Sequence, residues 1–532
     1  MSVNLEEIKR DCISNLNQYV DMRALERSNA DLLIKLINNA DTPNEVISIA
    51  QLGTAYKRTG LHYDKRLEKF DDGNTIKYLK KNKELSFYDD SNQVPHKLII
   101  GDNYDALLNL LIDYKGRIDV IYIDPPYGKD SMGEFAQTNY ENAITRDNLL
   151  SMLYPRLLLA KKLLSPQGVI FCSIDDRNHA YLKCLFDEIF NEINFLGNFV
   201  WRKKSGGGQD DDYFVTEHEY ILAYKNGKDF EWIDYSEDLT EDSFRYEDDK
   251  GKFSITKLEK WGSSAHREDR PTMYYPIKNP EGKDCFPVAP DGTPGRWRVG
   301  KDRLENLITN EGVYWKKDEN NRWIPYEKTY FDKNKKKYYK ARSIIDIAES
   351  GDGTKLLTSI LMKNNLFKNC KPIDIIKFLL EHVKNDIVLD FFAGSGSTGH
   401  AVLELNKEKE KPSQFILCNN NEITTTTPNG IAYDVTTKRL KRIMTGDCYQ
   451  HEEFDWIKKN EAYGGSLEVC EIEKVANFET TEGKTPFDVI DETLYGKVKF
   501  EKLKDKIDWV CRNFEVTQSY LKEKGEDDVT RD

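Results

Sequence analysis

The stretch DIVLDFFAGSGSTGHA (386–401) decides the fold. Ile387, Val388 and Leu389 read as a short apolar strand. Gly394-x-Gly396-x-x-Gly399 follows at once, and GHAVLELNK (399–407) continues as a helix. Glycines at this spacing let a chain turn tightly and approach a ligand, with a helix N-terminus behind it to favour polar or anionic groups. The next apolar run, SQFILCNNNE (413–422), ends on Glu422, where a strand end can offer a carboxylate to ribose hydroxyls. Taken alone, this turn fits a nicotinamide cofactor, a methyl donor or close packing. Asp390 and the Phe391-Phe392 pair favour a zwitterionic amino acid joined to a nucleoside, with no pyrophosphate.

Upstream, residues 96–200 alternate the same way. HKLIIGDN, RIDVIYIDPPYG, VIFCSIDD and FLGNFVW read as strands. DALLNLLIDY, NLLSMLYPRLLLAKKLLSPQG, HAYLKCLFDEIF and, further on, KPIDIIKFLLEHV (371–383) read as helices. Strands separated by helices predict a parallel sheet covered on both faces, an α/β fold. Asp124-Pro125-Pro126-Tyr127 ends the second strand, the place where open α/β sheets bind ligands. The prolines stiffen the turn. This set suits an exocyclic aryl amine, whose lone pair is conjugated with its ring. The Asp124 carboxylate and the Pro125 carbonyl can accept its two hydrogens and free the lone pair, while Tyr127 can stack on the base. Such stacking is worth ~1–3 kcal/mol per base.

The regular alternation is interrupted at about 201–365, which predicts an insertion between two halves of one domain. The expected organisation is a helical appendage over 1–95, a catalytic half over 96–200, the insertion over 201–365, a cofactor half over 366–450 and a contact region over 451–532. Leu25, Leu32, Leu33, Leu36 and Ile37 carry the helical spacing of the appendage, and the polar stretch 69–93 reads as a connection. At 532 residues the chain exceeds one ordinary core. The net charge of −13 excludes a small histone-like binder but not local basic faces. Nine cysteines without a CxxC pair read as reduced thiols and argue against a zinc ribbon, so no metal is expected. No run approaches the ~20 apolar residues of a membrane helix, so the expected location is the cytoplasm, with no membrane partner.

Together these motifs resemble the amino-methyltransferases of DNA in which DPPY precedes the cofactor motif (the β arrangement). The likeness is strongest to the modification subunits of type III restriction–modification systems. It is carried by LIIGDNYDALLNLL (98–111), IYIDPPYG (121–128), MLYPRLLLAKKLLSPQGVIFCSIDD (152–176), FVWRKKSGG (199–207), EHEYILAY (217–224), RPTMYYPI (270–277), KPIDIIKFLL (371–380) and LDFFAGSGSTGHAV (389–402). The resemblance implies a Rossmann-like, S-adenosylmethionine-dependent sheet in permuted motif order, with an inserted α+β target-recognition domain. It implies that Asp390, Phe392, Ala393, Gly394, Gly396 and Thr398 cradle the methyl donor, that Glu422 binds its ribose, and that Asp102 and Asn103 lie near its adenine. Lys371 and Pro372 would begin the motif at its methionine end. Asp124, Pro125, Pro126 and Tyr127 would hold the target, and DPPY favours adenine over cytosine. The family's asparagine after the tyrosine is replaced here by Gly128-Lys129.

A duplex adenine must be flipped out before its amine can react. The reader of duplex DNA is expected in the insertion. Between Lys316 and Arg342 basic residues outnumber acidic ones and alternate with aromatics, which points to Lys335, Lys336 and Lys337. Arg202, Lys203 and Lys204, before the glycines 206–208, form a second basic candidate. The only Gly-Lys-Thr, at 483–485, has Phe478 where a phosphate loop needs its first glycine. Cleavage would therefore need a separate restriction (ATPase/nuclease) subunit, and the terminal regions suit that partner or a homodimer.

Overall fold

The computed structural model describes residues 5–21, 25, 27–54, 75–89, 94–127, 146–206, 213–367, 369–407, 412–449, 454–476 and 484–515. Most of the expected loop at 128–147, and Gly207 and Gly208, lie outside them. The chain divides into two compact units, one of 1–233 with 342–532 and one of 234–341.

In chain order the first unit opens with helices α1 (Leu5–Asp21), α2 (Arg27–Asn38) and α3 (Pro43–Thr54). They enclose a small core of Leu16, Ile37, Ala40 and Val46, against which Leu25 and Leu33 pack, while Leu32 and Leu36 face solvent. Then come β1 (Thr75–Lys81), β2 (His96–Ile100), α4 (Asn103–Tyr114), β3 (Ile118–Ile123), α5 (Arg146–Leu163), β4 (Leu164–Ile174), α6 (Asp176–Phe190), β5 (Phe195–Arg202) and β6 (His218–Lys225). The second unit holds β7 (Tyr235–Asp238), β8 (Tyr246–Asp248), β9 (Gly251–Lys257), β10 (Ile277–Lys278), β11 (Asp284–Cys285), α7 (Lys301–Thr309), β12 (Val313–Lys317), β13 (Trp323–Tyr330) and β14 (Lys336–Tyr339). The first unit resumes with β15 (Ile344–Ile345), α8 (Ser350–Leu361), α9 (Ile373–Glu381), β16 (Ile387–Asp390), α10 (Ser397–Asn406), β17 (Gln414–Asn419), α11 (Thr437–Thr445) and β18 (Leu467–Ala476). It ends with α12 (Pro486–Val489) and α13 (Leu503–Val510).

The first unit is built on a ten-stranded sheet in the order β1-β18-β2-β17-β16-β3-β4-β6-β5-β15. Strands β18, β2, β17, β16, β3 and β4 run parallel. β2 and β3 are buried at every position, including His96, Lys97 and Asp119, and their apolar runs 98–100 and 120–123 suit a doubly covered sheet. Ile99, Ile121, Ile170 and Leu389 point to one face, under α4, α5 and α6. Leu98, Val120, Phe171 and Val388 point to the other, under α8, α9, α10 and α11. The period of two along each strand sorts these residues between the faces.

The sheet is larger than the sequence pattern indicates. The polar stretch read as a connection contains β1, which pairs antiparallel with β18 from the charged C-terminal region. Its lysines suit an outermost strand, where polar side chains protect an open edge. The insertion is also narrower than 201–365. β6 lies between β4 and β5, antiparallel to both, so 218–225 belongs to the main sheet. The second unit is α+β: β12-β13-β9-β8 form a four-stranded sheet over a core of Leu258, Tyr275, Ile277, Trp297 and Leu304. Part of RPTMYYPI builds that core, with the Tyr275 hydroxyl donating to the Val299 carbonyl at 2.7 Å.

Helix α8 backs directly onto the segment that carries Lys371. A Cβ placed on Gly353 would lie 2.2 Å from the Cys370 carbonyl oxygen and 2.8 Å from the Lys371 carbonyl carbon, whereas one on Gly351 would meet nothing within 4 Å. Gly353→Ala should therefore lower stability by about 1–3 kcal/mol through overpacking. Gly351→Ala should raise it by roughly 0.5–1 kcal/mol through helix propensity. Urea unfolding of the two variants tests the contrast, and equal effects would contradict the close approach.

Candidate active site

Parallel pairing of β3 with β16, Val120 opposite Val388 and Ile121 opposite Leu389, sets the two signature turns side by side. The same edge receives the C-terminal ends of β2, β17 and β4, and the first residues of antiparallel β6. Asp102, Asp124, Asp390 and Glu219 are thereby delivered to one edge of the sheet.

Asp124 follows β3 and its side chain is 27% exposed. Tyr127 donates its hydroxyl to Asp124 Oδ1 at 2.7 Å and reaches Glu219 Oε2 at 3.2 Å. The Lys371 ammonium lies 2.9 Å from the Tyr127 hydroxyl, 2.7 Å from Glu219 Oε2 and 3.2 Å from Asp124 Oδ1. Lys203 holds the other Glu219 oxygen, Oε1, at 3.1 Å. Trp201 closes the bottom, its ring 5.3 Å from the Lys371 nitrogen. Asn178, near the start of α6, donates to the Tyr127 carbonyl at 2.7 Å and so clamps the main chain of the turn. Burial raises the Asp124 carboxyl above its ordinary range; Lys371 opposes the shift and Glu219 adds to it. Burial also raises Glu219, but the two ammoniums of Lys371 and Lys203 outweigh it and leave this carboxyl low. Burial would lower Lys371, yet Asp124 and Glu219 hold its pKa above the ordinary lysine range.

The glycine turn after β16 is shaped from inside. Asp390 is buried, with Oδ1 accepting from the Phe392 amide at 2.9 Å and Oδ2 from the Thr398 hydroxyl. Gly394 and Gly396 adopt φ of +49° and +80°, and a Cβ on Gly394 would sit 2.9 Å from the Phe367 ring. Ala393 is buried, while Phe392 is partly exposed. Ser397 donates to the Lys371 carbonyl at 2.9 Å, so one residue joins the glycine turn through its backbone and Asp124 through its ammonium. Pro372 is the N-cap of α9.

Asp102 caps α4 by accepting from the Tyr104 amide at 2.8 Å, and its carboxylate is paired with Arg156 at 3.1 Å. Arg156 is completely buried and also donates to the Asn103 side-chain oxygen, while Asn103 donates to the Phe391 carbonyl at 2.8 Å. Asn103 thus ties the ends of β2 and β16 together. Glu422 lies three residues beyond β17. Burial raises its carboxyl, and among the described residues its side chain has no hydrogen-bond partner.

The basic candidates are dispersed. Arg202 is paired with Asp346 at 2.7 Å, Lys203 faces Glu219, and Lys204 is partly buried. In the second unit Lys336 pairs with Asp238 at 3.4 Å, Lys337 lies over the Tyr339 ring, and Lys335 is exposed. Sequence reasoning assigned no role to Glu219, Arg156 or Asn178. Two of them carried a signal. An arginine inside the apolar helix MLYPRLLLA, and a glutamate opening the apolar strand HEYILAY, can be buried only if paired.

A family model described as DNA methylase matches residues 118–427, more than half of the chain. The chain belongs to the DNA methylase family. A second family, described as an uncharacterised conserved protein, matches residues 10–120. The methylase is 30% identical over 391 residues to the type III restriction-modification enzyme StyLTI Mod subunit of Salmonella typhimurium, covering 66% of this chain and 57% of that one. It is 29% identical to the EcoPI Mod subunit of Escherichia phage P1 over 405 residues, 65% of this chain and 62% of that one. It is 30% identical to the type II methyltransferase M.KpnI of Klebsiella pneumoniae over 379 residues, 65% of this chain and 87% of that one. It therefore spans about three fifths of the length of these two Mod relatives. No helix among the described residues is long and apolar enough to cross a membrane, and none of their acidic, histidine and cysteine side chains cluster as a metal site.

Burial holds the Asp390 carboxyl at about 7, against the donors Thr398 and the Phe392 amide. Between the unfolded value near 4 and this one, the folded methylase binds the extra proton. This contribution to stability is full at low pH and is lost as pH rises through 7. Relative to wild type, Asp390→Asn should gain about 2 kcal/mol between pH 5 and pH 8. Urea midpoints of both proteins at the two pH values measure it, and a pH-independent difference would refute the assignment.

Proposed function

We propose that this methylase transfers a methyl group from S-adenosylmethionine to the N6 amine of an adenine flipped out of duplex DNA. We infer that it serves as the modification and specificity subunit of a type III restriction–modification system. The observation that carries the reading is the Asp124 turn held beside the glycine turn by β3–β16 pairing. The names of the Mod relatives support the wider role.

The residues present fit the donor. Glu422 offers a carboxylate without a hydrogen-bond partner among the described residues, suited to ribose hydroxyls. Asp102, fixed by Arg156, suits the adenine end. Phe392 and Gly394 line the turn, with Asp390, Asn103, Ala393, Gly396 and Thr398 holding its shape. The Lys371–Pro372 segment would close the methionine end. S-adenosylmethionine supplies an electrophilic methyl group. Asp124 and the Pro125 carbonyl accept the two amine hydrogens and draw the nitrogen toward tetrahedral geometry. Tyr127 stacks on the base after its hydroxyl leaves Asp124, and Asp124 is the nearest acceptor for the proton the nitrogen gives up. Pro126 keeps the turn rigid.

Arg202, Lys204 and Lys335, Lys336, Lys337 are the proposed phosphate contacts, Lys203 being engaged with Glu219 instead; a second copy of the chain is the proposed dimer partner, and the cytoplasm the proposed location. DNA cleavage would come from a separate restriction subunit.

The direct test is incubation with labelled S-adenosylmethionine and mixed-sequence duplex DNA, followed by nucleoside analysis. Label in N6-methyladenine supports the reading, and label in N4-methylcytosine overturns the base assignment. Asp124→Ala should abolish transfer while donor binding by calorimetry persists; near-normal rates would refute the mechanism. Neutralising Lys335, Lys336 and Lys337 together should reduce the slope of log affinity against log salt by about 2–3. An unchanged slope would remove these lysines from the interface.

A further inference from the structure

At the bottom of the crevice two carboxylates share one ammonium. Lys371 is 2.7 Å from Glu219 and 3.2 Å from Asp124, so Glu219 is its closer anionic partner. The side chains of Lys371 and Glu219 are only 9% and 10% exposed, whereas Asp124 is 27% exposed and is the most accessible of the three. Lys203 fixes Oε1 of Glu219 and leaves Oε2 directed at Lys371. The Lys371 main chain is held in turn by Ser397. The ammonium therefore sits between two anchored groups and cannot follow Asp124 freely.

We propose that Glu219 is a positioning residue for methyl transfer: by drawing the Lys371 ammonium into a shared ion pair, it keeps Asp124 from becoming the sole counterion of Lys371, so that Asp124 can accept the amine of the target base. This inference rests on Asp124 accepting that amine, as in the proposed function. A buried ammonium takes whatever acceptors surround it, because an unpaired charge there is costly. Without Glu219, Asp124 would become the sole counterion of Lys371, and the target amine would have to displace an ammonium. Without Lys371, two carboxylates would face each other in a confined space and one would take up a proton. Glu219 never touches the base in this scheme. It acts through Lys371.

The groups facing Asp124 are Lys371, Glu219, Tyr127, Tyr122, Cys172 and Asp390. Of these, Lys371 and Glu219 have opposite effects on its charge, which gives a test that general damage to the fold would not mimic. Single-turnover methyl transfer to mixed-sequence duplex DNA is followed against pH for wild type, Glu219→Gln and Lys371→Gln, with thermal melting as the check on folding. Loss of the neighbouring negative charge should move the acidic limb of Glu219→Gln down by about 1 pH unit and lower its plateau. Loss of the cation should move the limb of Lys371→Gln up by about 1 unit. Donor affinity of Glu219→Gln should stay within about twofold of wild type, because Ser397 still holds the Lys371 main chain beside the glycine turn and only the ammonium loses a partner. The two expected shifts are opposite in sign: Lys371→Gln assigns the limb to Asp124, and Glu219→Gln, or Glu219→Ala where that variant does not fold, decides the role of Glu219. A slower variant whose limb stays in place, or moves the other way, overturns the role of Glu219 and leaves the proposed function standing. Absence of methyl transfer to adenine by the wild type overturns both.

Discussion

The structure depends on one pairing, that of β3 with β16. These strands come from opposite sides of the inserted unit, yet they are neighbours near the middle of the sheet. Adjacent strands lie about 4.8 Å apart, so two turns that end them must share one crevice. The acceptor turn of Asp124 and the glycine turn of Gly394 need no dedicated loop to bring them together. Everything else at the site refines that adjacency. Asn103 links β2 to β16 through the Phe391 carbonyl, and Asn178 fixes the Tyr127 main chain. Lys371 spans both turns, with its carbonyl on Ser397 and its ammonium toward Asp124.

Two buried charged clusters support this arrangement, and they differ in character. Arg156 is completely enclosed and spends its donors on Asp102, Asn103 and the Met152 carbonyl. It acts as a rivet, because a guanidinium deprived of those partners would leave an uncompensated buried charge. The Asp124–Lys371–Glu219–Lys203 group is instead a balanced set of two anions and two cations around a tyrosine hydroxyl. In the proposed reaction such a set has to exchange one partner for another as a base enters and leaves. The same tyrosine is bound to Asp124 here, so the proposed base entry would be coupled to release of that hydroxyl.

The central strands were legible in the sequence because a doubly covered parallel strand is largely apolar, and the runs VIYI (120–123) and LII (98–100) are. The two turns were legible because the glycine spacing and the Asp124 tetrapeptide each sit at the end of an apolar strand, and together they narrow a reading that the glycine turn alone leaves open. β1 was hidden, since TIKYLKK has the polar composition of an edge and its partner β18 lies at the far end of the chain. β6 was misplaced for a related reason. Its apolar run EYILAY is clear, but nothing local says that it turns back antiparallel between β4 and β5. Local periodicity reports which face of a strand is buried, not which strand lies beside it. The site shows the same division. The residues of the two signature turns could be named in advance, and the β3–β16 pairing brings them together. Glu219, Asn178 and Arg156 act only through residues that folding brings to them, and their importance appears once those neighbours are known.

The place of the insertion follows from the same geometry. The chain leaves the sheet after β6 and re-enters at β15, the outermost strand on that side. At the exit the Ile233 amide donates to the His382 carbonyl at 2.7 Å, and Trp232 stacks on His382. At the return the Val200 amide donates to the Ser343 carbonyl at 2.7 Å. Both junctions are therefore tied to the first unit, and neither interrupts the strands that carry the crevice. A long excursion from a sheet edge costs little loop-closure entropy when its two ends are held. The central pairing of β3 with β16 is thus insulated from changes in the inserted unit. Such a layout lets the inserted unit vary in surface while the Asp124 turn and the glycine turn keep their spacing.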